Sequence, residues 1–228
     1  TGGKFSHDRL IGEFASGKSD ILIGTQMIVK GHDFSNVTLV GVLAADMSLH
    51  VNDFHAAERT FALLTQAAGR AGRGKLPGNV VIQTYDPDHY AIRTAKEQDY
   101  EAFYDKEIEY RRLMHYPPVW NMLLVHVTSP DESECGSVAQ RVHDIAAQMI
   151  SHIENSLSPD DRHQIQLIGP ADATIAKVND IYRKVIYMKT SDYAALISVK
   201  DGIEQAMKAD TAMKNANISF DFNPMSGF

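Results

Sequence analysis

An apolar run over residues 37–45, which ends at Asp46, limits the fold of the first half more than any other feature. A strand that is apolar along its length is typical of a parallel sheet covered by helices on both faces. A helical stripe over residues 57–68 and a second strand pattern over residues 79–85 follow it. Strand, helix and strand in this order predict an α/β domain with a mostly parallel sheet, which we place within residues 1–99.

Shorter patterns flank this run. Residues 7–16 are predicted to form a helix that ends near Gly17, residues 20–24 a strand, and residues 89–97 another helix. The segment 12–19 has the spelling of a phosphate-binding loop. Such a loop must leave a strand and open a helix, so that the first amides of the helix hold the phosphates. Here the helix comes first, and the segment is therefore interpreted as a helix end.

The second half has a different pattern. A charged, aromatic helix is predicted to end before the proline pair at residues 117–118, since proline cannot continue a helix. Strand, helix, strand, strand, helix and strand follow; the first of these helices has an apolar stripe over residues 138–153. We expect Thr190 or Ser191 to cap the second helix. This order predicts an α+β split βαβ sandwich within residues 100–228, with two helices on one antiparallel sheet.

The segment 66–74, named here the arginine turn, carries Arg70 and Arg73 among three glycines. Glycine allows a backbone to turn tightly and to approach another surface. A guanidinium is permanently charged and has five donors, which suits contact with phosphate oxygens. In nucleotide hydrolysis such an arginine is worth roughly 10³–10⁵ in rate. The pattern alone leaves open a plain surface turn with two solvated arginines.

Composition excludes several classes of protein. The chain has 228 residues, 44% hydrophobic and 22% charged, with a net charge of −7. Cys135 is the single cysteine, so the sequence predicts neither a disulfide framework nor a cysteine-based zinc site. No apolar run reaches the roughly 18–20 residues of a membrane span, and no signal peptide is visible. The single cysteine fits a protein that works in a reducing, cytosolic setting.

Charge is uneven along the chain. Residues 1–99 carry a net charge of −1 and residues 100–228 a net charge of −6. The second half is therefore a poor candidate for non-specific DNA binding and a better one for protein contact. The ten histidines show no metal-ligand spacing. Because the chain begins Thr-Gly-Gly, we expect a piece of a longer protein.

Two stretches resemble motifs of superfamily-two helicases. The spelling Gln-x-x-Gly-Arg-x-Gly-Arg over residues 66–73 is similar to motif VI, and Gly-Thr-Gln-Met-x-x-x-Gly-x-Asp-Phe over residues 24–34 is similar to motif V. Segments 109–118 and 169–183 add signatures of the replication-restart DNA helicases. The resemblance covers almost the whole chain and is strongest in residues 20–86. It implies the end of a RecA-like lobe two followed by a C-terminal domain.

The resemblance implies roles for residues of the arginine turn. Arg73 would act as the arginine finger and Arg70 as its partner in phosphate contact or lobe closure. Gln66 would orient Arg70 or the attacking water; an ordinary polar helix residue is the other interpretation.

Motif V would link the nucleotide to DNA. Gly31 and Asp33 would lie beside the nucleotide, and Thr25 and Gln26 on the DNA backbone. From the residues alone, Thr25 is equally a helix cap and Asp33 a turn former.

The family also implies cofactors and partners. ATP and Mg²⁺ would be held mainly by a first lobe outside this chain, and zinc by cysteines that the chain lacks. Forked and single-stranded DNA, single-stranded-DNA-binding protein, primosome proteins and the replicative helicase loader would be partners, in the bacterial cytoplasm at the nucleoid. The implied activity is 3′-5′ unwinding at stalled forks and D-loops, which this piece alone would not perform.

Two other functions are compatible with the sequence. The chain could act as a docking module for DNA or protein without chemistry of its own. It could also belong to another superfamily-two motor, such as a branch-migration translocase.

Overall fold

The computed structural model describes residues 4–25, 34, 36–74, 76–156 and 164–225, and for residues 4–7 it describes the backbone alone. Two compact units are present. Unit 1 comprises Thr1–Val51 and Ala56–Tyr104, and unit 2 comprises Asn52–His55 and Asp105–Phe228. The chain therefore passes from unit 1 into unit 2 for four residues and returns before the long second segment begins.

Helix α1 spans Lys4–Ala15 and confirms the first predicted helix. It ends in a tight turn in which the Lys18 amide donates to the Glu13 carbonyl at 2.9 Å. Gly17 lies in the left-handed region with a φ of 73°, which glycine adopts without strain. The segment with the phosphate-loop spelling is thus the end of a helix, as its context predicted.

A small parallel sheet forms the centre of unit 1. Strand β1 (Leu39–Val42) pairs in parallel with β2 (Asn79–Ile82), so the predicted parallel pairing is confirmed. Both strands are shorter than their apolar runs. The strand predicted over residues 20–24 is wrong, since the structure assigns it no ladder and leaves Ile23 88% exposed. A strand is stable only with a neighbour to pair with, and no described residue pairs with this segment.

Helices cover the sheet of unit 1. Helix α2 (Ala56–Ala68) follows β1, and α3 (Tyr90–Glu97) follows β2. The buried side chains that join them are Ala45, Phe61, Leu64, Ala91, Ile92, Ala95 and Phe103. Phe103 belongs to the next helix, α4 (Tyr100–Leu113), and stacks on Phe61 with ring centroids 4.3 Å apart.

Unit 2 is the split βαβ sandwich that the sequence predicts. Its elements are β3 (Asn121–Ser129), α5 (Glu132–Ser156), β4 (Gln166–Val178), β5 (Ile181–Thr190), α6 (Tyr193–Ala209) and β6 (Asn217–Phe222). The sheet order is β4-β5-β3-β6, and all of its pairings are antiparallel. Helices α5 and α6 pack on one face around a core that includes Leu123, Val142, Ile186 and Leu196.

Strand β4 pairs with β5 through a ladder that contains register shifts. One detail of unit 2 differs from the sequence prediction. The cap of α6 is Asp192, whose carboxylate accepts the Ala194 amide at 2.9 Å. Thr190 and Ser191 were expected there. Thr190 instead accepts the Asp192 amide at 3.2 Å, which fixes the turn before the cap. No helix in the described ranges is long and apolar enough to cross a membrane.

Candidate functional site

The arginine turn begins in the last turn of α2, which ends at Ala68. The Gly69 amide still donates to the Thr65 carbonyl at 3.0 Å, and the Arg70 amide donates to the Ala67 carbonyl at 3.0 Å. Arg73 is exposed, and its Nε donates to the Gly69 carbonyl at 2.6 Å. The Arg73 guanidinium is therefore anchored at the carboxyl end of α2, where a cation is favoured by the helix dipole.

The sheet backbone holds this turn in place. The Gly72 amide donates to the Val37 carbonyl at 3.0 Å, and the Asn79 amide donates to the Thr38 carbonyl at 2.8 Å. Both carbonyls immediately precede β1. The turn therefore lies at the amino-terminal end of the parallel sheet, which fixes the backbone from which Arg70 and Arg73 project.

The backbone geometry at position 72 explains why the turn needs a glycine there. Its φ is +74°, and a Cβ at this position would lie 2.7 Å from the Gly78 backbone nitrogen. A Cβ at Gly78 would in turn collide with the Gly72 nitrogen. At Gly69 an added Cβ would meet carbonyl oxygens only at 3.6 Å, an ordinary contact. The close approach expected from the sequence is thus confirmed at Gly72.

We expect Gly72→Ala to loosen the arginine turn. The added methyl group meets backbone that cannot move aside, and a left-handed non-glycine residue costs about 1–3 kcal/mol. Amide hydrogen exchange followed by NMR should show exchange at residues 72 and 79 faster by at least about fivefold. Gly69→Ala is the matched control and should leave both amides unchanged. Equal protection in the two variants would contradict this explanation of the glycine.

The structure places the remaining motif VI residue on the same stretch of chain. Gln66 is exposed in the last turn of α2, four residues before the half-buried Arg70. The two arginines and the glutamine are thus gathered at one end of α2.

Motif V lies largely outside the described residues. Thr25 is described and exposed, whereas Gln26, Gly31 and Asp33 are not among the described residues. Their nucleotide and DNA roles stay predictions. Phe34, which ends the motif, packs edge-on against Phe14 of α1 with ring centroids 5.0 Å apart.

Sequence reasoning missed a polar cluster around Asp46. The sequence suggested only that this residue ends a strand. Asp46 is 5% exposed, and its carboxylate accepts the Thr84 hydroxyl at 2.5 Å, the Tyr85 amide at 2.9 Å and the Asp86 amide at 3.3 Å. Asp46 follows β1 and its donors follow β2, so the carboxylate joins the carboxyl ends of both strands. An acidic residue directly after an apolar run was the available signal.

These hydrogen bonds make the stability of unit 1 depend on pH. The Thr84 hydroxyl, and after it the Tyr85 amide, hold the pKa of Asp46 below its ordinary value of 3.8. A carboxyl whose pKa is lowered by folding stabilises the fold above 3.8 and loses that contribution as the pH falls through its folded pKa. We expect Asp46→Asn to be less stable than wild type at neutral pH, with the difference shrinking below pH 3.8 in urea unfolding followed by circular dichroism. A difference that is constant with pH would contradict this.

Other titratable groups among the described residues do not assemble into a metal centre. In the part of the chain that the structure describes, no group of three histidine, cysteine, aspartate or glutamate side chains is placed to hold a metal ion. Cys135 is buried under β3, where its thiol contacts the Val127 carbonyl at 3.4 Å. Burial raises the pKa of this thiol. It is therefore a core residue.

Comparisons with known proteins cover both units. Residues 4–75 match the Helicase conserved C-terminal domain, and residues 112–225 match the Primosomal protein N C-terminal domain. Replication restart protein PriA of Bacillus subtilis is 42% identical over 98% of this chain and 26% of its own length. The chain belongs to the PriA family. PriA proteins of Synechocystis and Chlamydia pneumoniae are 33% and 37% identical over 98% and 99% of this chain.

The match to PriA follows the two units. Motif V and the arginine turn lie within the helicase match, and the sandwich of unit 2 lies within the primosomal match, which begins inside α4. The chain spans about a quarter of the length of these PriA relatives, at 26%, 25% and 28%. The mixed α/β architecture agrees with a partial RecA-like lobe followed by an α+β domain.

Proposed function

We propose that this chain forms the end of lobe two and the C-terminal domain of an ATP-dependent 3′-5′ DNA helicase. The whole protein recognises stalled forks and D-loops and restarts replication by primosome assembly, in the bacterial cytoplasm. The observation that carries the proposal is the arginine turn. Two arginines project from a backbone bonded to the sheet, inside a segment that matches the helicase family.

The arginine turn supplies positive charge that stabilises the transition state of ATP hydrolysis. ATP, bound with Mg²⁺ mainly by a first lobe outside this chain, supplies the phosphoryl group. Arg73 stabilises the negative charge that develops on its oxygens, and Arg70 contacts the phosphates or closes the lobes. Anchoring of Arg73 Nε to the Gly69 carbonyl limits the entropy lost when the side chain engages. Gln66 orients Arg70 or the attacking water.

Motif V couples ATP hydrolysis to the binding of DNA. Gly31 and Asp33 lie beside the nucleotide, and Thr25 and Gln26 contact the DNA backbone. Closure of the cleft and its opening after hydrolysis then change the grip on DNA in each cycle. Support for this assignment comes from the motif spelling and from the family match over residues 4–75.

Unwinding of a forked duplex tests the proposal. The full-length protein should separate a labelled fork with ATP and Mg²⁺ and fail with ADP. Reversing the polarity of the single-stranded arm distinguishes 3′-5′ from 5′-3′ movement. No strand separation on either fork, with folded protein that binds ATP, would refute the helicase assignment.

A docking role is the second candidate, and it rests on unit 2. Residues 105–228 form most of unit 2, which has its own buried core. The 228-residue chain should be titrated against forked DNA and against the acidic tail peptide of single-stranded-DNA-binding protein. Binding to one of them would support docking by this domain. Binding to neither would remove that role. The other alternative, a different superfamily-two translocase, is disfavoured by the family match of residues 112–225.

A further inference from the structure

Gly78 lies in the loop that leads into β2, directly against the arginine turn. A Cβ at Gly78 would overlap the Gly72 nitrogen and the Ala71 carbonyl carbon, and it would lie 2.7 Å from the Ala71 Cβ. The two overlapped atoms form one peptide bond, which lies between Arg70 and Arg73 in the sequence. The backbone of Gly78 is therefore packed against the middle of the arginine turn.

Two neighbouring carbonyls hold these backbones together. The Gly72 amide donates to the Val37 carbonyl at 3.0 Å. The Asn79 amide, one residue after Gly78, donates to the Thr38 carbonyl at 2.8 Å. The two hydrogen bonds draw the arginine turn and the loop before β2 to the same edge of the sheet, so no room is left for a side chain between them. All of these residues belong to unit 1.

The conformation of Gly78 separates close contact from backbone strain. Gly78 is exposed, and its φ lies outside the left-handed region. A residue with a side chain could adopt this backbone, so the approach of the arginine turn is what calls for glycine. At Gly72 the two causes are combined, because its φ of +74° would strain any other residue.

We propose that Gly78 is a positioning residue for Arg73, because its lack of a side chain sets the distance between the arginine turn and the loop before β2. A side chain at position 78 would displace the peptide between Ala71 and Gly72, and with it the backbone from which Arg73 projects. The inference rests on the proposed function and deepens it. Gly78 lies outside motif VI and beyond the segment 4–75 that matches the helicase family.

The displacement is large enough to matter for catalysis. Ordinary contact begins at 3.4 Å, and overlap with backbone atoms is relieved only when one of the two backbones moves. We expect a shift of roughly 1 Å, and a misplacement of this size can cost about 10²-fold in rate. The displaced peptide also lies between Arg73 and Gly69, whose carbonyl accepts the Arg73 Nε hydrogen bond. A shift there disturbs this anchor as well.

The test is ATP hydrolysis by the full-length protein at saturating forked DNA, with rates expressed per folded molecule. Gly78→Ala should lower kcat by at least about tenfold and change KM for ATP by less than about threefold, because the arginine acts on the transition state. Gly12→Ala is the matched control. Gly12 is exposed in α1 of the same unit, and an added Cβ would meet no described atom within 4 Å. Its kcat should stay near that of wild type.

A double-mutant cycle with Arg73→Ala separates positioning from a purely structural role. If Gly78 acts through Arg73, Gly78→Ala should cost less than about threefold in kcat once the arginine is absent. A glycine needed only for folding would lower the melting temperature of both backgrounds and leave the rate of each folded molecule unchanged.

Three results would overturn the inference. They are folded Gly78→Ala with kcat within about threefold of wild type, the same factor lost with and without Arg73, and an equal loss in Gly12→Ala. Should Gly78→Ala fail to fold, Gly72→Ala decides in the same way, since its methyl group enters the same contact, 2.7 Å from the Gly78 nitrogen. A folded wild-type protein without DNA-stimulated hydrolysis would refute the proposed function instead, so the two failures are distinguishable.

Discussion

Arg73→Ala in the full-length protein is expected to lower DNA-stimulated ATP turnover by more than about 10²-fold. Arg73 is exposed at the end of α2 and anchored through Nε to the Gly69 carbonyl. In the proposed mechanism its charge acts when negative charge builds up on the transferred phosphoryl group, so kcat should fall far more than KM rises. The measurement is steady-state ATP hydrolysis at saturating forked DNA.

Two further variants make this result specific. Arg93→Ala removes an exposed arginine from α3 of the same unit and should leave turnover near that of wild type. Arg73→Lys keeps a charge but loses the planar fork that contacts two phosphate oxygens, and it should not restore the rate. Turnover of Arg73→Ala within about threefold of wild type would show that Arg73 is not the finger.

Glu107→Ala is expected to destabilise unit 2 by about 3–5 kcal/mol. Glu107 and Arg111 are both buried, and their side chains are joined by a hydrogen bond of 2.7 Å. Removing the carboxylate leaves the Arg111 charge buried with the Pro117 carbonyl as a weaker partner. Urea unfolding followed by the fluorescence of Trp120, the single tryptophan, reports on unit 2 directly.

The same helix offers a matched control. Glu109 pairs with Lys106 at 3.6 Å, and both side chains are well exposed. Exposed pairs contribute about 0–1 kcal/mol, so Glu109→Ala should change the free energy of unfolding little. The double variant Glu107→Leu with Arg111→Met should recover part of the loss, because no charge is then buried alone. Equal effects of Glu107→Ala and Glu109→Ala would contradict a stabilising role for the buried pair.

The order of elements in unit 2 could be predicted from the sequence because each pattern is local. The stripe over residues 138–153 has helical spacing, and Ile218, Phe220 and Phe222 alternate as in a strand with one buried face. The structure confirms both as α5 and β6. Strands of an antiparallel sandwich have one buried face, and that alternation is visible in a single sequence.

Features that depend on distant partners could not be predicted. Residues 20–24 have the composition of a strand, yet nothing local shows whether a neighbour will pair with them. The cap of α6 is Asp192 rather than Thr190 or Ser191. All three residue types are good caps, so local propensity does not decide among these neighbours. Phe54 is a similar case, since the Tyr116 ring on which it stacks lies far along the chain.

The candidate site is a prediction from the sequence, and the structure shows the backbone contacts around it. Motif spelling singled out Arg70 and Arg73, but it did not show that Gly72 is bonded to the backbone before β1. Nor did it show that the Asp46 carboxylate joins the carboxyl ends of both strands, at the other end of the sheet from the arginine turn. Both contacts join segments separated in sequence, which is why the supporting geometry became visible only in the fold.

ATP hydrolysis by the full-length protein, measured with and without forked DNA, tests the central claim most directly. We expect a low rate without DNA and a rate at least about tenfold higher with the fork, because in the proposed mechanism DNA binding and the arginine turn act in one cycle. An equal rate with and without DNA, in protein shown to bind the fork, would contradict a DNA-driven motor. The docking role of unit 2 would then be the better description of this chain.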